Sequence, residues 1–96
     1  MDVTISQAAE LDLEDIALYI AQDNPMRALT FTDELQVRAK GLVNAPFKGT
    51  ERNHLASGLR LLPHGNYNIF YWIRTDEIVV VRIMHSAQDI GPEDFA

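Results

Sequence analysis

The chain has 96 residues and a formal net charge of −6. This length fits a single domain over residues 1–96, and the acidic charge argues against non-specific nucleic-acid binding, which requires a basic surface. The chain contains no cysteine, which excludes disulfides and thiolate catalysis. No apolar run is long enough to span a membrane, and the acidic N-terminus does not resemble a signal peptide. We therefore expect a globular cytoplasmic protein.

The first half of the chain predicts a short strand followed by two helices. Residues 2–5 are β-prone, and Ser6 is a suitable N-cap for a helix that runs to about residue 22. Its apolar residues recur at helical spacing: Ala9, Leu13, Ile16, Ala17 and Ile20. Asn24 and Pro25 begin a second helix over residues 25–43, with the apolar stripe Ala28, Phe31, Leu35, Ala39 and Leu42. The short connection predicts an antiparallel helical hairpin.

The second half of the chain predicts β-structure. The segment 44–58 is expected to be a loop, and residues 90–96 are expected to be a frayed acidic tail. Three strands are predicted at residues 59–62, 67–74 and 77–85. The resulting order is β-α-α-β-β-β, which indicates an α+β domain whose helical hairpin covers one face of a small antiparallel sheet.

The last predicted strand is apolar on both of its faces. Side chains alternate across a sheet, which gives one face with Val79, Val81, Ile83 and His85. The same alternation gives a second face with Ile78, Val80, Arg82 and Met84. Two helices can cover only one face, so the second is expected to be covered by a partner protein or by the loop 44–58.

Arg82, His85 and Asp89 raise the question of a catalytic set. The alternation places Arg82 and His85 on opposite faces, so they form a poor catalytic pair unless the strand contains a bulge. A structural role is the alternative for each residue. Arg82 can pair with a helix carboxylate such as Asp12 or Asp15, and His85 can form a hydrogen bond with the backbone.

The ordered set of motifs resembles the toxins of the RelE/ParE superfamily, and the ParE branch in particular. The motifs are A..DL..I..YIA..NP..A..F...L over residues 9–35, GLR at 58–60, YNIFYWI at 67–73 and VVVRIMH...D at 79–89. The matching positions are Ala9, Asp12, Leu13, Ile16, Tyr19, Ile20, Ala21, Asn24, Pro25, Ala28, Phe31, Leu35, Pro46, Gly49, Leu55, Gly58, Leu59, Arg60, Tyr67, Ile69, Tyr71, Arg82, His85 and Asp89.

The resemblance implies the toxin of a type II toxin–antitoxin system. It implies a cognate antitoxin whose C-terminal segment wraps the toxin in a hetero-oligomer. ParE-like toxins poison DNA gyrase by binding it, whereas RelE-like relatives cleave messenger RNA on the ribosome. The resemblance therefore favours a non-enzymatic gyrase inhibitor. The alternatives are a RelE-like endonuclease and a weakened toxin that acts only as an antitoxin-binding module.

The resemblance and the strand pattern together assign candidate contacts. The expected target-binding residues are Arg60, Arg82, His85, Gln88 and Asp89. The expected antitoxin-binding residues are Leu11, Leu18, Ile78, Val80 and Met84. A ribonuclease would use Arg60, Arg82 and His85, but the paired lysines of the RelE branch are missing. Many ParE relatives carry arginine where this chain has Gln88. We expect no cofactor and no metal.

Overall fold

The computed structural model describes all 96 residues, and the predicted α+β order is confirmed. The helices and strands are β1 (Asp2–Ile5), α1 (Gln7–Ala21), α2 (Pro25–Lys40), β2 (Thr50–Glu51), β3 (Arg60–His64), β4 (Tyr67–Ile73) and β5 (Glu77–His85). Two short 3-10 helices, Gly41–Asn44 and Pro92–Phe95, follow α2 and end the chain. Neither α-helix is both long enough and apolar enough to cross a membrane.

Both α-helices begin where the sequence predicts. The Ser6 hydroxyl accepts a hydrogen bond from the backbone N–H of Ala9 at 3.2 Å. Asn24 accepts one from the N–H of Arg27 at 3.1 Å, and Pro25 occupies the first helical position. These caps satisfy donors that a helix N-terminus leaves without an intrahelical partner. The two helices pack against each other as the predicted hairpin.

The five strands form one sheet in the order β1-β5-β4-β3-β2. Neighbouring strands from β2 to β5 are antiparallel, as expected. The N-terminal strand β1 instead runs parallel to β5, so the sheet is mixed. Since β1 ends at Ile5, the later residues of β5 have no strand partner on that edge. This free edge faces the start of α1 and becomes part of the candidate site.

A β-bulge in β5 changes which side chains face the helices. Phe70 pairs with Arg82 and Tyr71 pairs with Val80, so Val81 lies opposite no residue of β4. Such an insertion reverses the alternation beyond it. Val80 before the bulge and Ile83 after it both belong to the core beneath the helices.

Burial argues against three of the predicted antitoxin contacts. Ile78 and Val80 are both 0% exposed in the helix-side core, so they cannot reach a partner on this fold. Met84 does face the second side of the sheet, but it is 2% exposed there, packed with Leu59 and Phe70. The expected open apolar face, on which all three assignments depended, is therefore absent.

The second face of the sheet is covered by the chain itself. Leu55 and Ala56 from the predicted loop pack against the cluster of Leu59, Phe70 and Met84, which confirms the loop alternative in part. Ile90 and Phe95 from the C-terminal segment pack against the same cluster. The prediction of a frayed tail is wrong, because the Phe95 ring packs on Phe70 with centroids 4.9 Å apart. The burial of these apolar side chains stabilises the tail.

Candidate functional site

Arg82 forms a two-pronged ion pair with Asp12 of α1. The Arg82 Nε and Nη2 atoms donate to the two carboxylate oxygens at 2.8 and 3.0 Å. The hydrogen bond to Asp12 raises the pKa of Arg82 above its ordinary value, so the guanidinium is charged at every relevant pH. The predicted ion pair is confirmed, with Asp12 as the partner. The carboxylate neutralises the charge that Arg82 would otherwise present to a phosphate.

The same carboxylate completes the free edge of β5. Asp12 also accepts a hydrogen bond from the backbone N–H of Ile83 at 2.8 Å. The Ser6 hydroxyl donates to the carbonyl oxygen of Val81 at 3.1 Å. Because β1 ends at Ile5, these two side chains replace the strand that would otherwise satisfy the backbone groups. Asp12 therefore fixes both Arg82 and the strand that carries it.

His85 lies on the helix side of the sheet, because the bulge at Val81 reverses the alternation of side chains in the later part of β5. Its Nδ1 atom accepts a hydrogen bond from the backbone N–H of Ala87 at 3.0 Å, which confirms the predicted backbone contact. A neutral ring that accepts at Nδ1 carries its proton on Nε2. The ring also meets Tyr67 edge to face, with centroids 5.0 Å apart. Arg82 and His85 leave the strand on opposite faces, as predicted, because they pair with Phe70 and Tyr67, three residues apart along β4. Both still line one cavity, because the Arg82 guanidinium reaches Asp12 at the free edge of β5.

A groove runs between α1 and the adjacent ends of β4 and β5. Three adjoining cavities, of about 270, 510 and 290 Å³, share Tyr19, Tyr67 and His85 in their walls. We call this feature the tyrosine groove. Its first end is lined by Asp12, Asp15, Arg82 and Gln88. Its second end is lined by Arg27, Phe31, Gly65 and Asn66.

The two tyrosines give the groove an aromatic centre with polar tips. Tyr19 is 67% exposed, whereas Tyr67 is partly buried. Burial, and to a smaller extent Tyr19, raises the pKa of Tyr67, so its phenol stays protonated at neutral pH. Aromatic faces of this kind pack against planar or cationic groups. The groove can therefore bind a side chain that is both flat and polar.

Sequence reasoning missed Tyr19, Tyr67 and Asp15 as candidate site residues. Asp12, Asp15 and Tyr19 recur at i, i+3 and i+7, which places them on one face of α1. This row of polar and aromatic side chains on α1 could have been identified as a candidate site from the sequence. Tyr67 gave no such signal, because only the pairing of β4 with β5 brings it to His85.

Arg60 lies in a different part of the molecule. Its Nε and Nη2 atoms donate to the carbonyl oxygens of Gly49 and Phe47 at 3.0 and 3.2 Å. Its guanidinium also lies over the Phe47 ring, 5.2 Å from the centroid. The nearest carboxylate, that of Glu51, is 3.5 Å away on a residue whose side chain is 63% exposed. The charge of Arg60 is therefore matched by a carboxylate less closely than that of Arg82.

The structure does not bring the three ribonuclease candidates together. Arg60 is paired with Tyr71 of β4, whereas His85 is paired with Tyr67, four residues earlier on the same strand. Four strand residues span about 13 Å, and Arg60 lies a further strand away from β5. Arg82 and His85 both line the tyrosine groove, and Arg60 does not. The three candidate ribonuclease residues are therefore divided between the tyrosine groove and the region around Arg60.

The remaining predicted contacts lie at the surface. Gln88 and Asp89 are exposed after the end of β5, and Gln88 lines the first end of the groove. Leu11 and Leu18 are 53% and 68% exposed on the outer side of α1. Helix α2 adds Met26, Leu29 and Val37, each more than 60% exposed, which sequence reasoning also missed. Exposed apolar side chains become candidates for a partner surface where they lie together.

The histidines and acids do not form a metal site. No group of three or more His, Cys, Asp or Glu side chains lies close enough together to hold a metal ion.

Comparison with known proteins identifies the family. The sequence model described as the ParE toxin of the type II toxin–antitoxin system parDE matches residues 3–90. The chain therefore belongs to the ParE toxin family. A search of curated proteins found no match.

Two solved structures show the same fold. One comes from the chromosomal ParDE toxin–antitoxin system of P. aeruginosa, with a TM-score of 0.77, 22% identity, and coverage of 88% of this chain and 95% of that chain. The other comes from the RelBE2 toxin–antitoxin complex of Mycobacterium tuberculosis, with a TM-score of 0.63 and the same identity and coverage. At this identity the likeness concerns the fold alone.

Proposed function

We propose that this ParE-family toxin acts by binding DNA gyrase and that a cognate antitoxin neutralises it. The observation that supports this most is the separation of Arg60 from His85, together with the ion pair that already engages Arg82. A toxin that works by binding needs no assembled catalytic set. The two systems found by structural comparison each pair a toxin with an antitoxin, which favours a hetero-oligomer here as well.

RNA cleavage makes demands that this arrangement meets poorly. The reaction needs a base for the 2′-hydroxyl, cations for the developing phosphorane charge and an acid for the leaving oxygen. His85 could serve as acid or base, but Arg82 beside it is already paired with Asp12. Arg60, which keeps its charge, is on another part of the sheet. The RelE-like alternative is therefore the weaker proposal.

The proposed gyrase contacts follow from exposure and charge. Arg60 supplies a cation whose one carboxylate partner, Glu51, is exposed and makes a long contact of 3.5 Å. Gln88 and Asp89 supply exposed polar groups where β5 ends. Arg82 is assigned a positioning role instead, since its guanidinium holds Asp12 and the free edge of β5. The target would be met in the cytoplasm, where gyrase acts on DNA.

The proposed antitoxin surface is the outer side of the helical hairpin. Leu11 and Leu18, two of the antitoxin contacts predicted from the sequence, are both exposed. Met26, Leu29 and Val37 extend the apolar surface onto α2. A segment that folds as it binds could cover this surface and offset its ordering cost by burying apolar area.

An assay with purified gyrase tests the proposal. The chain is added to gyrase, ATP and relaxed plasmid, and supercoiled and protein-linked linear DNA are measured. We expect supercoiling to fall and cleaved complexes to accumulate, and prior addition of antitoxin to prevent both. The same preparation is incubated with translating ribosomes, where messenger RNA should remain intact. Unchanged gyrase activity together with cleaved messenger RNA would replace this proposal with the endonuclease alternative.

A further inference from the structure

The cations that line the tyrosine groove are already paired with carboxylates. Arg82 at the first end is held by Asp12, at 2.8 Å. Arg27 at the second end pairs with Glu34. Asp15, which lines the first end, makes no salt bridge within the chain and is exposed. The groove therefore carries one unmatched negative charge beside its two tyrosines.

The surface around the groove is acidic as well. Helix α1 carries Glu10, Asp12, Glu14 and Asp15, and it contains no lysine or arginine. Only Asp12 of these four has a cationic partner. The exposed Leu11 and Leu18 lie on the same helix. A partner that covers α1 should therefore be both basic and apolar, since like charges across an interface oppose binding.

The geometry points to an arginine side chain as the occupant of the groove. A guanidinium is planar, stacks on aromatic faces and forms paired hydrogen bonds with a carboxylate. The tyrosine groove offers Tyr19 and Tyr67 as aromatic walls and Asp15 as the carboxylate. The side-chain carbonyl of Gln88 adds an acceptor at the same end. Lysine lacks the flat surface that would use both tyrosines.

We propose that the tyrosine groove binds an arginine of the antitoxin, and that the antitoxin segment lying along α1 is basic and amphipathic. This inference rests on the proposed function, because it names the chemistry of the partner. It goes further than that proposal, because it names arginine as the antitoxin residue that is recognised. It also names Tyr19, Tyr67 and Asp15 as the residues that recognise it.

Binding measurements with the antitoxin encoded beside the toxin gene test the inference. Co-purification of the two proteins is measured first, and affinity is then compared for the wild type, Asp15→Asn and Tyr19→Leu. We expect each variant to weaken binding by about tenfold, the effect of roughly 1.4 kcal/mol. Asp76→Asn is the matched control, because Asp76 lies in the β4–β5 turn at the far end of the sheet and is exposed. It should leave affinity within about twofold of the wild type.

A pair of synthetic peptides separates charge from shape. Both copy the antitoxin segment, and one replaces each arginine by citrulline, which keeps the planar group and removes the charge. The arginine peptide should bind the isolated toxin at least about tenfold more tightly, and should shift the NMR signals of the Tyr19 and Tyr67 rings. The Asp15→Asn variant should lose most of this preference.

The possible failures are distinguishable. If the antitoxin binds but Asp15→Asn and Tyr19→Leu bind it as tightly as Asp76→Asn does, the inference is overturned and the proposed function stands. If the antitoxin segment that lies along α1 is acidic rather than basic, the inference is likewise overturned and the proposed function stands. If no complex forms at all, the antitoxin part of the proposed function is lost together with the inference. Circular dichroism of each variant establishes that a loss of binding does not reflect unfolding.

Discussion

Arg82 and Arg60 both lie on strands of the sheet, yet they differ in how closely a carboxylate pairs with each guanidinium. Arg82 donates to both oxygens of Asp12, and the two side chains are only 26% and 13% exposed. Arg60 donates to two neutral carbonyl groups, covers the ring of Phe47 and makes only a 3.5 Å contact with the exposed Glu51, while its own side chain is 16% exposed. The charge of Arg82 is matched by two short hydrogen bonds to one carboxylate, whereas that of Arg60 has a single long contact with one.

This difference separates a stabilising role from a recognition role. A partly buried ion pair with additional hydrogen bonds contributes to stability mainly because its loss leaves a charge without a partner. A charge held by carbonyl groups keeps its field and can attract an acidic or phosphate-bearing surface. We therefore expect Arg82 to matter chiefly for folding and Arg60 chiefly for target contact.

Removal of Arg82 is expected to have the largest effect on stability. Arg82→Ala leaves the Asp12 carboxylate partly buried and without its cationic partner. We expect the free energy of unfolding to fall by roughly 1.5–3 kcal/mol, measured by urea denaturation. Lys40→Ala, on the exposed last turn of α2, is the control and should change it by less than about 0.5 kcal/mol.

A double-mutant cycle shows whether this loss belongs to the pair. Asp12→Ala should destabilise the chain by at least as much, because it also leaves the N–H of Ile83 without its acceptor. The double variant should lose less than the sum of the two single variants. Strictly additive losses would mean that Arg82 and Asp12 do not stabilise each other, and the contrast with Arg60 would disappear.

Arg60→Gln is expected to have a smaller effect on stability and a large effect on the target. The amide retains some capacity to donate to the Phe47 and Gly49 carbonyls, so we expect a loss of only about 0.5–1 kcal/mol. Removal of the charge should weaken gyrase inhibition by about tenfold or more. Arg52→Gln, in the loop between β2 and β3, should inhibit nearly as well as the wild type. Equal inhibition by Arg60→Gln would remove Arg60 from the proposed contacts.

The surface pair of Arg27 and Glu34 should give the smallest effect. Hydrogen bonds from Arg27, and then from His64, lower the pKa of Glu34. A carboxyl with a lowered pKa in the folded chain stabilises it above the ordinary value of about 4.3, and this contribution is lost as the pH falls through the lowered pKa. The pair is highly exposed, so solvent screens it.

Melting temperatures of Glu34→Gln and the wild type check this pH dependence. We expect a small decrease for the variant near neutral pH and no difference once the pH is well below the lowered pKa of Glu34, where the carboxyl is protonated in both states. Asp33→Asn, which removes an exposed carboxylate without a salt bridge, is the comparison. A difference that persists at low pH would assign the effect to packing rather than to charge.

Local signals predicted much of the fold. Ser6 and Asn24 cap the helices as expected, because capping depends on residues within one turn. The apolar stripes of both helices form the helix-side core, since their spacing defines one face. Fold order and the pairing of Arg82 with Asp12 were therefore accessible from the sequence.

Features that depend on distant contacts were not accessible. The bulge at Val81 could not be predicted from the run of valines in the sequence. Its position depends on where β1 ends and on the side chains that take the place of β1 beside β5. The tyrosine groove joins α1 to β4 and β5 only after the sheet has formed. The ordered tail depends on the apolar face that Phe70 offers to Phe95. Each error arose from treating a residue apart from its tertiary neighbours.

Gyrase binding is the proposed mode of action of this toxin, and RNA cleavage is the alternative. The most direct test is to induce the wild type and His85→Ala in cells without antitoxin and to follow DNA synthesis, protein synthesis and messenger RNA together. We predict that DNA synthesis fails first, with gyrase-linked DNA breaks, while messenger RNA stays intact in both cases. Immediate translation arrest with cleaved messenger RNA, abolished by His85→Ala, would contradict the account.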